Sequence, residues 1–403
     1  MDGGPAGILT INGGSSTIKF AIYGLGEPPQ QHLRGVIERI GAEGTSLEAM
    51  DADGHRIERR TLDAPTHAQA AQQLIEWLQQ RVDVFIAGVG HRVVHGGFHL
   101  HEHQPITDLV LDKLRRAQSL DLAHLPREIA LIEAFRRSFS EIPHIACLDT
   151  AFHRDLPGVA KRLPIPRRYQ EEGLQRLGFH GLSYTYLMEE LERVAGSEAV
   201  AGRIVLAHLG SGASMAAVRG GQPLDTTMGL TPTGGLVMGT RPGDLDPGLF
   251  VYLLRTENMS PEDADDFINR RCGLAGVSGG TSDMRDLLDR RTSDARAAEA
   301  VALFCYQARK WIGAYTAVLG GLDTLVFSGG IGERAAAVRE EICHGLGYFG
   351  VRLDAARNAE GAPVVSAAGA PVTVRVMHTD EEYVIARSVR RFLKKAESTT
   401  TTR

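Results

Sequence analysis

The four cysteines of this 403-residue sequence, Cys147, Cys272, Cys305 and Cys343, are scattered and form no CxxC pair. That excludes a disulfide scaffold and suits reduced thiols in a cytosolic protein. A basic excess is also missing. Lys and Arg number 44 against 49 Asp and Glu, for a formal net charge of −5 and a pI near 6.3. A chain that holds nucleic acid through clustered cations is therefore not expected, although a local basic pocket is compatible with these totals. Long apolar runs are absent as well. The most apolar late stretch, Trp311 to Leu322, is broken by Gly313, Gly320 and Gly321 and is too short to cross a bilayer. The start, Met-Asp-Gly-Gly-Pro, has no basic n-region. The expectation is a soluble cytoplasmic protein with no nucleic-acid or membrane partner. The tail Ser398 to Arg403 is low in complexity and expected to be disordered.

What is present is an ordinary globular composition, 43% apolar and 23% charged, on a chain long enough for two domains. Two segments share one pattern: an apolar β-branched run, a Gly-Ser turn and a second apolar run. In the first, ILTI is followed by NGGSST and IKFAIY; in the second, IVLAHL is followed by GSGAS and MAAVR. Each reads as a hairpin, with a further strand expected near Val36–Glu38 and near Pro223–Asp225. Strands are also expected at Val84–Ala87, Ile145–Leu148 and Thr324–Ser328. Ala70, Leu74 and Leu78 share one helical face, as do Ala130, Leu131, Ala134 and Phe135. Long helices are expected over Ala297–Leu319 and Glu382–Lys395. The period is too long for a solenoid and implies a duplicated mixed α/β unit.

The chemistry-bearing residues gather at glycine-rich strand ends. Asn12-Gly-Gly-Ser15-Ser16-Thr17-Ile-Lys19 and Gly210-Ser211-Gly212-Ala213-Ser214 can present successive N–H groups to an anion. Neither is GxxxxGK[ST], so a P-loop is excluded. Gly329-Gly330-Ile331-Gly332-Glu333 follows a strand and precedes a helix expected near Ala335. It suits a nucleotide backbone, and Gly330-x-Gly332-x-x-Ala335 makes an NAD-binding module a rival reading. Arg92 and Arg241 lie in Gly-rich loops where a guanidinium suits phosphate or carboxylate. Asp149, after an apolar strand, suits either Mg²⁺ or a turn cap. His180 and His124 are candidate donors to a transferring phosphoryl group. Histidines 91, 95, 99, 101 and 103 have no fixed ligand spacing and read as a solvated loop, with a metal site as the lesser alternative.

Together these stretches resemble the acetate kinase family from end to end. INGGSSTIKF, GHRVVHGG, LDTAFH, GFHGLSY, HLGSGAS, LDTTMGLTPTGGLVMGTRPGDLDP, VSGGTSDMRDL, FSGGIGE and HTDEEYVIAR occur in this order. The resemblance implies membership of the acetate and sugar kinase, Hsp70 and actin superfamily. It further implies two duplicated ribonuclease H-like (actin-like ATPase) α/β domains around a nucleotide cleft. The N-terminal domain would take residues 1–150 plus 383–403, and the C-terminal domain 151–382, with the nucleotide site and the dimer interface. The implied activity is reversible in-line transfer between ATP and acetate, giving acetyl phosphate and ADP, by a cytoplasmic homodimer using Mg²⁺ or Mn²⁺. The alternatives are a propionate or butyrate kinase and, in a different class, a non-catalytic actin- or Hsp70-like nucleotide switch.

Carried over by motif, Arg92, Asp149, His180 and Arg241 are the implied catalytic group. Arg92, Val94, Ala123, Phe179 and Pro232 are the implied acid site. Asn12, Ser15, Thr17, Lys19, His208, Gly210, Ser211 and Gly212 match the phosphate loops. Asp283, Met284, Arg285, Gly330, Ile331 and Arg334 would surround the nucleoside. Asn12, Asp149 and Glu381 would organise the metal. Domain closure would exclude water and limit ATP hydrolysis. The chain departs from the family pattern with Thr17 where Ser is frequent, Ser211, Leu125 and Arg334 where Asn is usual, Met284 where Phe is common, and Ala123 where Leu is typical. Ala123 leaves room for a longer acid, and one methylene of fit is worth ~1–3 kcal/mol. Ala123→Leu is therefore expected to lower the propionate-to-acetate ratio in kcat/KM by about tenfold or more. An unchanged ratio would contradict the pocket assignment.

Overall fold

The computed structural model describes residues 6–81, 83–122 and 124–400, with the backbone alone at 399 and 400. Ala123, expected in the acid pocket, lies outside the described residues, as do 401–403 of the tail. The chain forms two units. One runs to Ala151 and is rejoined by the chain from Asp380 onward; the other is Phe152–Thr379.

The first unit is built on an eight-stranded mixed sheet in the order β5-β4-β3-β2-β1-β6-β8-β7. Its strands are β1 (Ala6–Gly13), β2 (Ile18–Gly24), β3 (Gln31–Glu38), β4 (Ser46–Asp51), β5 (Arg56–Thr61), β6 (Phe85–Val93), β7 (Gln104–Pro105) and β8 (His144–Leu148). The second unit carries a five-stranded sheet in the order β11-β10-β9-β12-β13. These strands are β9 (Arg203–Leu209), β10 (Ala213–Arg219), β11 (Gln222–Thr226), β12 (Thr324–Ser328) and β13 (Thr373–Val376). The duplication is visible in the topology. β3-β2-β1-β6-β8 and β11-β10-β9-β12-β13 share one order, with two antiparallel pairings followed by two parallel ones.

β1 and β8 are mostly apolar and almost wholly buried, as strands covered on both faces must be, with Thr10, Asn12 and His144 the polar members. In the first unit, Leu74, Trp77 and Leu78 of the helix His67–Arg81, with Leu131 and Phe135 of the helix Leu125–Ser138, join β1 to β4 in one core. The helix Glu381–Thr400 packs on β1 and β6. Its Ile385 and Val389 come so close that a Cβ at Gly90 would sit 2.3 Å and 2.7 Å from their methyl groups. Gly90, like Gly88 before it, therefore serves close packing, and β6 continues through Arg92 where a loop was expected. The final helix also continues past Ser398 to Thr400, in place of the disorder expected there. In the second unit, Tyr184, Leu187 and Leu191 of the helix Gly181–Ala195 pack on Ile204, Leu206, Ala216, Val218 and Val326. The helix Ala295–Leu319 starts on the Asp294 side chain and ends at Gly320 in the left-handed region. The helix expected near Ala335 is there, Ala336–Cys343, and a further short helix, Gly329–Arg334, forms on the glycines ahead of it. Among the described residues no helix is long and apolar enough to cross a membrane.

One buried histidine ties the second unit to pH. His153 is 1% exposed, and its Nε2 donates to the Phe179 carbonyl at 3.0 Å. Burial and, more weakly, Arg176 lower its pKa to about 4 against the opposing pull of that carbonyl. The folded state holds it neutral, so its stabilisation is complete above the unfolded value near 6.5 and is lost as pH falls toward about 4. The amount at stake is ~3 kcal/mol. His153→Gln keeps a donor for the carbonyl and cannot titrate. Its Tm is expected to fall less steeply than wild type between pH 7 and 4.5 in calorimetry, and parallel curves would contradict this.

Candidate active site

In the first unit the site is built around a guanidinium. β6 places Arg92 next to Cys147 of β8, and Asp149 follows β8 directly, its N–H bonded to the Val93 carbonyl at 3.0 Å. The Asp149 carboxylate, fully buried, accepts from Arg92 Nε at 3.1 Å and Nη2 at 2.5 Å. Two more carboxylates reach the same group, Glu128 at 3.6 Å and Glu381 at 3.9 Å, and Arg92 Nη1 also donates to the Gly13 carbonyl. Burial alone would lower the Arg92 pKa, but the three carboxylates outweigh it and the pKa is raised. Asn12, at the end of β1, donates through Nδ2 to Glu381 and Glu382 at 3.0 Å each.

This cluster has more acid than one arginine can neutralise, and two of its members respond. Burial pushes Glu128 up to about 8, against the pull of Arg92 and the Val94 N–H. Burial also raises Glu382, opposed by Lys19. An excess of oxygen ligands over cationic charge fits a hard divalent ion. Asp149 and Glu381, bridged by Arg92 and backed by Asn12, are the residues that could hold one, and two carboxylates suit an ion that keeps water and phosphate ligands.

The first phosphate-loop candidate is the turn between β1 and β2. Gly14 N–H closes it on the Thr17 carbonyl at 2.8 Å, and Ser15 and Lys19 are exposed. The turn is held from behind, with Arg127 donating to the Ser15 carbonyl at 2.9 Å and His67 Nε2 to the Gly14 carbonyl. Val94 is buried and its N–H bonds Glu128 at 2.9 Å. Leu125 opens the helix Leu125–Ser138 with its side chain fully buried, and the preceding His124 pairs with Asp121 at 3.0 Å.

In the second unit the counterpart turn is Gly210–Gly212, closed by Gly210 N–H on the Gly212 carbonyl at 3.0 Å. A Cβ at Gly212 would lie 2.8 Å from Arg241 Nη2 and 3.3 Å from His180 Nε2, so both donors reach the same bare Cα. Arg241 Nη1 also donates to the carbonyl of buried Pro232 at 2.6 Å. His180 precedes the helix Gly181–Ala195 at φ 59°, a left-handed conformation that costs a non-glycine residue about 1–2 kcal/mol. Such strain marks a residue whose direction matters. The Phe179 side chain is buried, its carbonyl is held by His153, and Gly178 at φ +71° has no room for a Cβ beside the His153 ring. The His208 ring lies tilted against that of His180, with centroids 4.5 Å apart and 34° between the planes.

The nucleoside candidates fall into two groups. β12 runs parallel to β9 with Ser328 opposite His208, which brings Gly330 to the Gly210 turn. Ile331 and the exposed Arg334 follow on the helix Gly329–Arg334. Asp283 caps the helix Met284–Arg290, accepting from Arg285 N at 2.8 Å and Arg285 Nη2 at 2.6 Å, while Met284 is buried. Gly239, bonded to the Ser211 carbonyl, sits against Ser282 and links this group to the turn.

Several expectations need correction. Arg92 lies in a strand. Of the histidines expected in a solvated loop, His91 and His95 are each 1% exposed, His91 stacked on His144 and His95 accepting from Gly97 N–H. Glu128 and Glu382 were given no role from the sequence, and Ser214 and Tyr184 entered only as members of the Gly210–Ser214 turn and of GFHGLSY. Glu382 stood beside a candidate ligand, as the second glutamate of HTDEEYVIAR. The others acquire meaning from partners 30 or more residues away.

The model of the acetokinase family matches residues 7–387. An acetate kinase of Rhodopseudomonas palustris is 41% identical over 389 residues, covering 95% of this chain and 97% of the relative. The crystal structure of Porphyromonas gingivalis acetate kinase is 33% identical with a TM-score of 0.84, covering 96% of this chain and 100% of that one. That of a propionate kinase from Francisella tularensis is 31% identical with a TM-score of 0.89, covering 96% and 99%. With the fold, the motifs and nearly the full length in agreement, the chain belongs to the acetokinase family of ATP-dependent carboxylate kinases.

Proposed function

We propose that the chain phosphorylates acetate from ATP, giving acetyl phosphate and ADP reversibly; the alternative within the family is propionate or butyrate as the acid. The observation that carries this reading is the Arg92 cluster, one buried guanidinium among Asp149, Glu128 and Glu381 at a strand end. A carboxylate oxygen of the acid forms the new P–O bond, the bond to the β-phosphate oxygen breaks, and the electron pair leaves on ADP. The attacking carboxylate is already ionised near pH 7, so positioning and charge neutralisation carry the catalysis. Arg92 and Arg241 supply positive charge to the acid and the phosphoryl group in flight, and His180 donates a hydrogen bond to that group. Mg²⁺ or Mn²⁺, held by Asp149 and Glu381 with Asn12 behind them, would neutralise phosphate charge. The Ser15–Lys19 and Gly210–Gly212 turns bind phosphates, and Gly330, Ile331, Arg334 and the Asp283–Arg285 segment bind the nucleoside. The family resemblance assigns Val94, Ala123, Phe179 and Pro232 to the apolar end of the acid site. The family resemblance supports a cytoplasmic homodimer.

Acetate is preferred over its longer homologues here because most of the relatives reported above are acetate kinases. The propionate kinase among them keeps the longer acid as the second reading, and Ala123 favours it. Hydroxamate formation with Mg-ATP, hydroxylamine and each acid is expected to give acid-dependent product. Arg92→Ala and Arg241→Ala are each expected to lower kcat by at least ~10²–10³-fold. Arg92→Ala also strands Asp149, at a cost of about 3–5 kcal/mol of stability, so the assay belongs below its measured Tm. No product with any acid, from folded protein, would overturn the proposal.

A further inference from the structure

We infer that Ser214 and Tyr184 are positioning residues that decide which ring nitrogen of His180 carries the proton. The inference rests on the reading above that His180 donates to the phosphoryl group. It concerns groups that all belong to the second unit. His180 Nδ1 lies 2.9 Å from Ser214 Oγ, and the Tyr184 hydroxyl bonds the same oxygen. Ser214 and Tyr184 are both fully buried. Each is fixed independently: Ser214 in β10, opposite His208 of β9, and Tyr184 one helical turn after His180, its N–H on the His180 carbonyl at 3.0 Å.

A serine hydroxyl has one proton to give. Were Ser214 to accept from both Tyr184 and Nδ1–H, its own buried proton would have no acceptor among these groups, which leaves two arrangements for a neutral imidazole. In one, Tyr184 donates to Ser214 Oγ, Ser214 donates to Nδ1, and Nε2 carries the ring proton. In the other, Nδ1–H donates to Ser214, Ser214 donates to the phenol oxygen, and Nε2 is bare. A phenol is a stronger acid than an aliphatic alcohol and the better donor of the pair, which favours the first. The consequence falls at the bare Cα of Gly212. There Nε2 comes within 3.3 Å of where a Cβ would stand, beside Arg241 Nη2 at 2.8 Å. Only the first arrangement makes Nε2 a donor alongside the Arg241 guanidinium. In the second it could only accept, which a phosphoryl oxygen cannot use. The left-handed backbone at His180 and the His208 ring packed against it hold the imidazole in this orientation.

The test is the tautomer itself, read by long-range ¹H–¹⁵N correlation on protein labelled at histidine nitrogen, at pH 8, with His180→Gln identifying the resonances. Wild type is expected to show the Nε2–H form. Ser214→Ala is expected to move His180 to a mixture or to the Nδ1–H form, and to lower kcat about tenfold or more with KM for ATP within twofold. Tyr184→Phe, which keeps the Ser214 hydroxyl, is expected to shift both readouts the same way by less. A wild-type Nδ1–H form, or an unchanged tautomer in both variants, would overturn the inference. The spectrum needs no turnover, so it is independent of the functional reading, which fails separately if His180→Gln retains wild-type kcat.

Discussion

The first unit depends on keeping one guanidinium charged where water barely reaches it. Arg92 is 14% exposed and Asp149 not at all. Such a cation persists only with carboxylates in contact, and they come from every neighbouring element. Asp149 stands at the end of β8, Glu128 on the helix Leu125–Ser138, and Glu381 on the helix that returns from the C-terminus. β1 contributes the Gly13 carbonyl, and Asn12 beside it ties down Glu381. The return of the chain at Asp380 and the glycines that admit Ile385 and Val389 onto β6 are consequences of this arrangement.

The second unit solves a different problem with the same sheet topology. It presents donors, not a buried ion cluster. Arg241 and His180 converge on Gly212, and both are braced through main chain: Arg241 by the Pro232 carbonyl and His180 by the segment that His153 holds. Duplication thus produced two strand–turn–strand hairpins whose surroundings diverged. One is backed by acids and Arg92, the other by an arginine and histidines. Phosphoryl transfer to a carboxylate needs both kinds of group, because like charges must be brought together and neutralised without a strong base.

Much of the fold was legible because apolar, β-branched runs between glycine turns define β1, β2, β9, β10 and β12. β12 has the expected bounds, Thr324–Ser328. β4 and β5, SLEAMD and RIERRT, were not legible, since strands toward a sheet edge bury few side chains and need no apolar run. The glycines around Arg92 read as a loop because composition cannot separate a glycine needed for a turn from one needed for close approach. The candidate residues of each unit were legible as motifs. The groups that orient them were not, because nothing around Glu128 marks it and the motifs holding Ser214 and Tyr184 do not say what those hydroxyls bond. Their roles exist only once distant strands and helices meet.

The central claim is that an oxygen of the acid itself attacks phosphorus. The most direct measurement is ³¹P NMR of the product formed from Mg-ATP and acetate labelled with ¹⁸O in both carboxylate positions. The account predicts an acyl-phosphate resonance carrying the upfield isotope shift of one bridging ¹⁸O. Inorganic phosphate as the sole product, or an acyl phosphate without that shift, would contradict it.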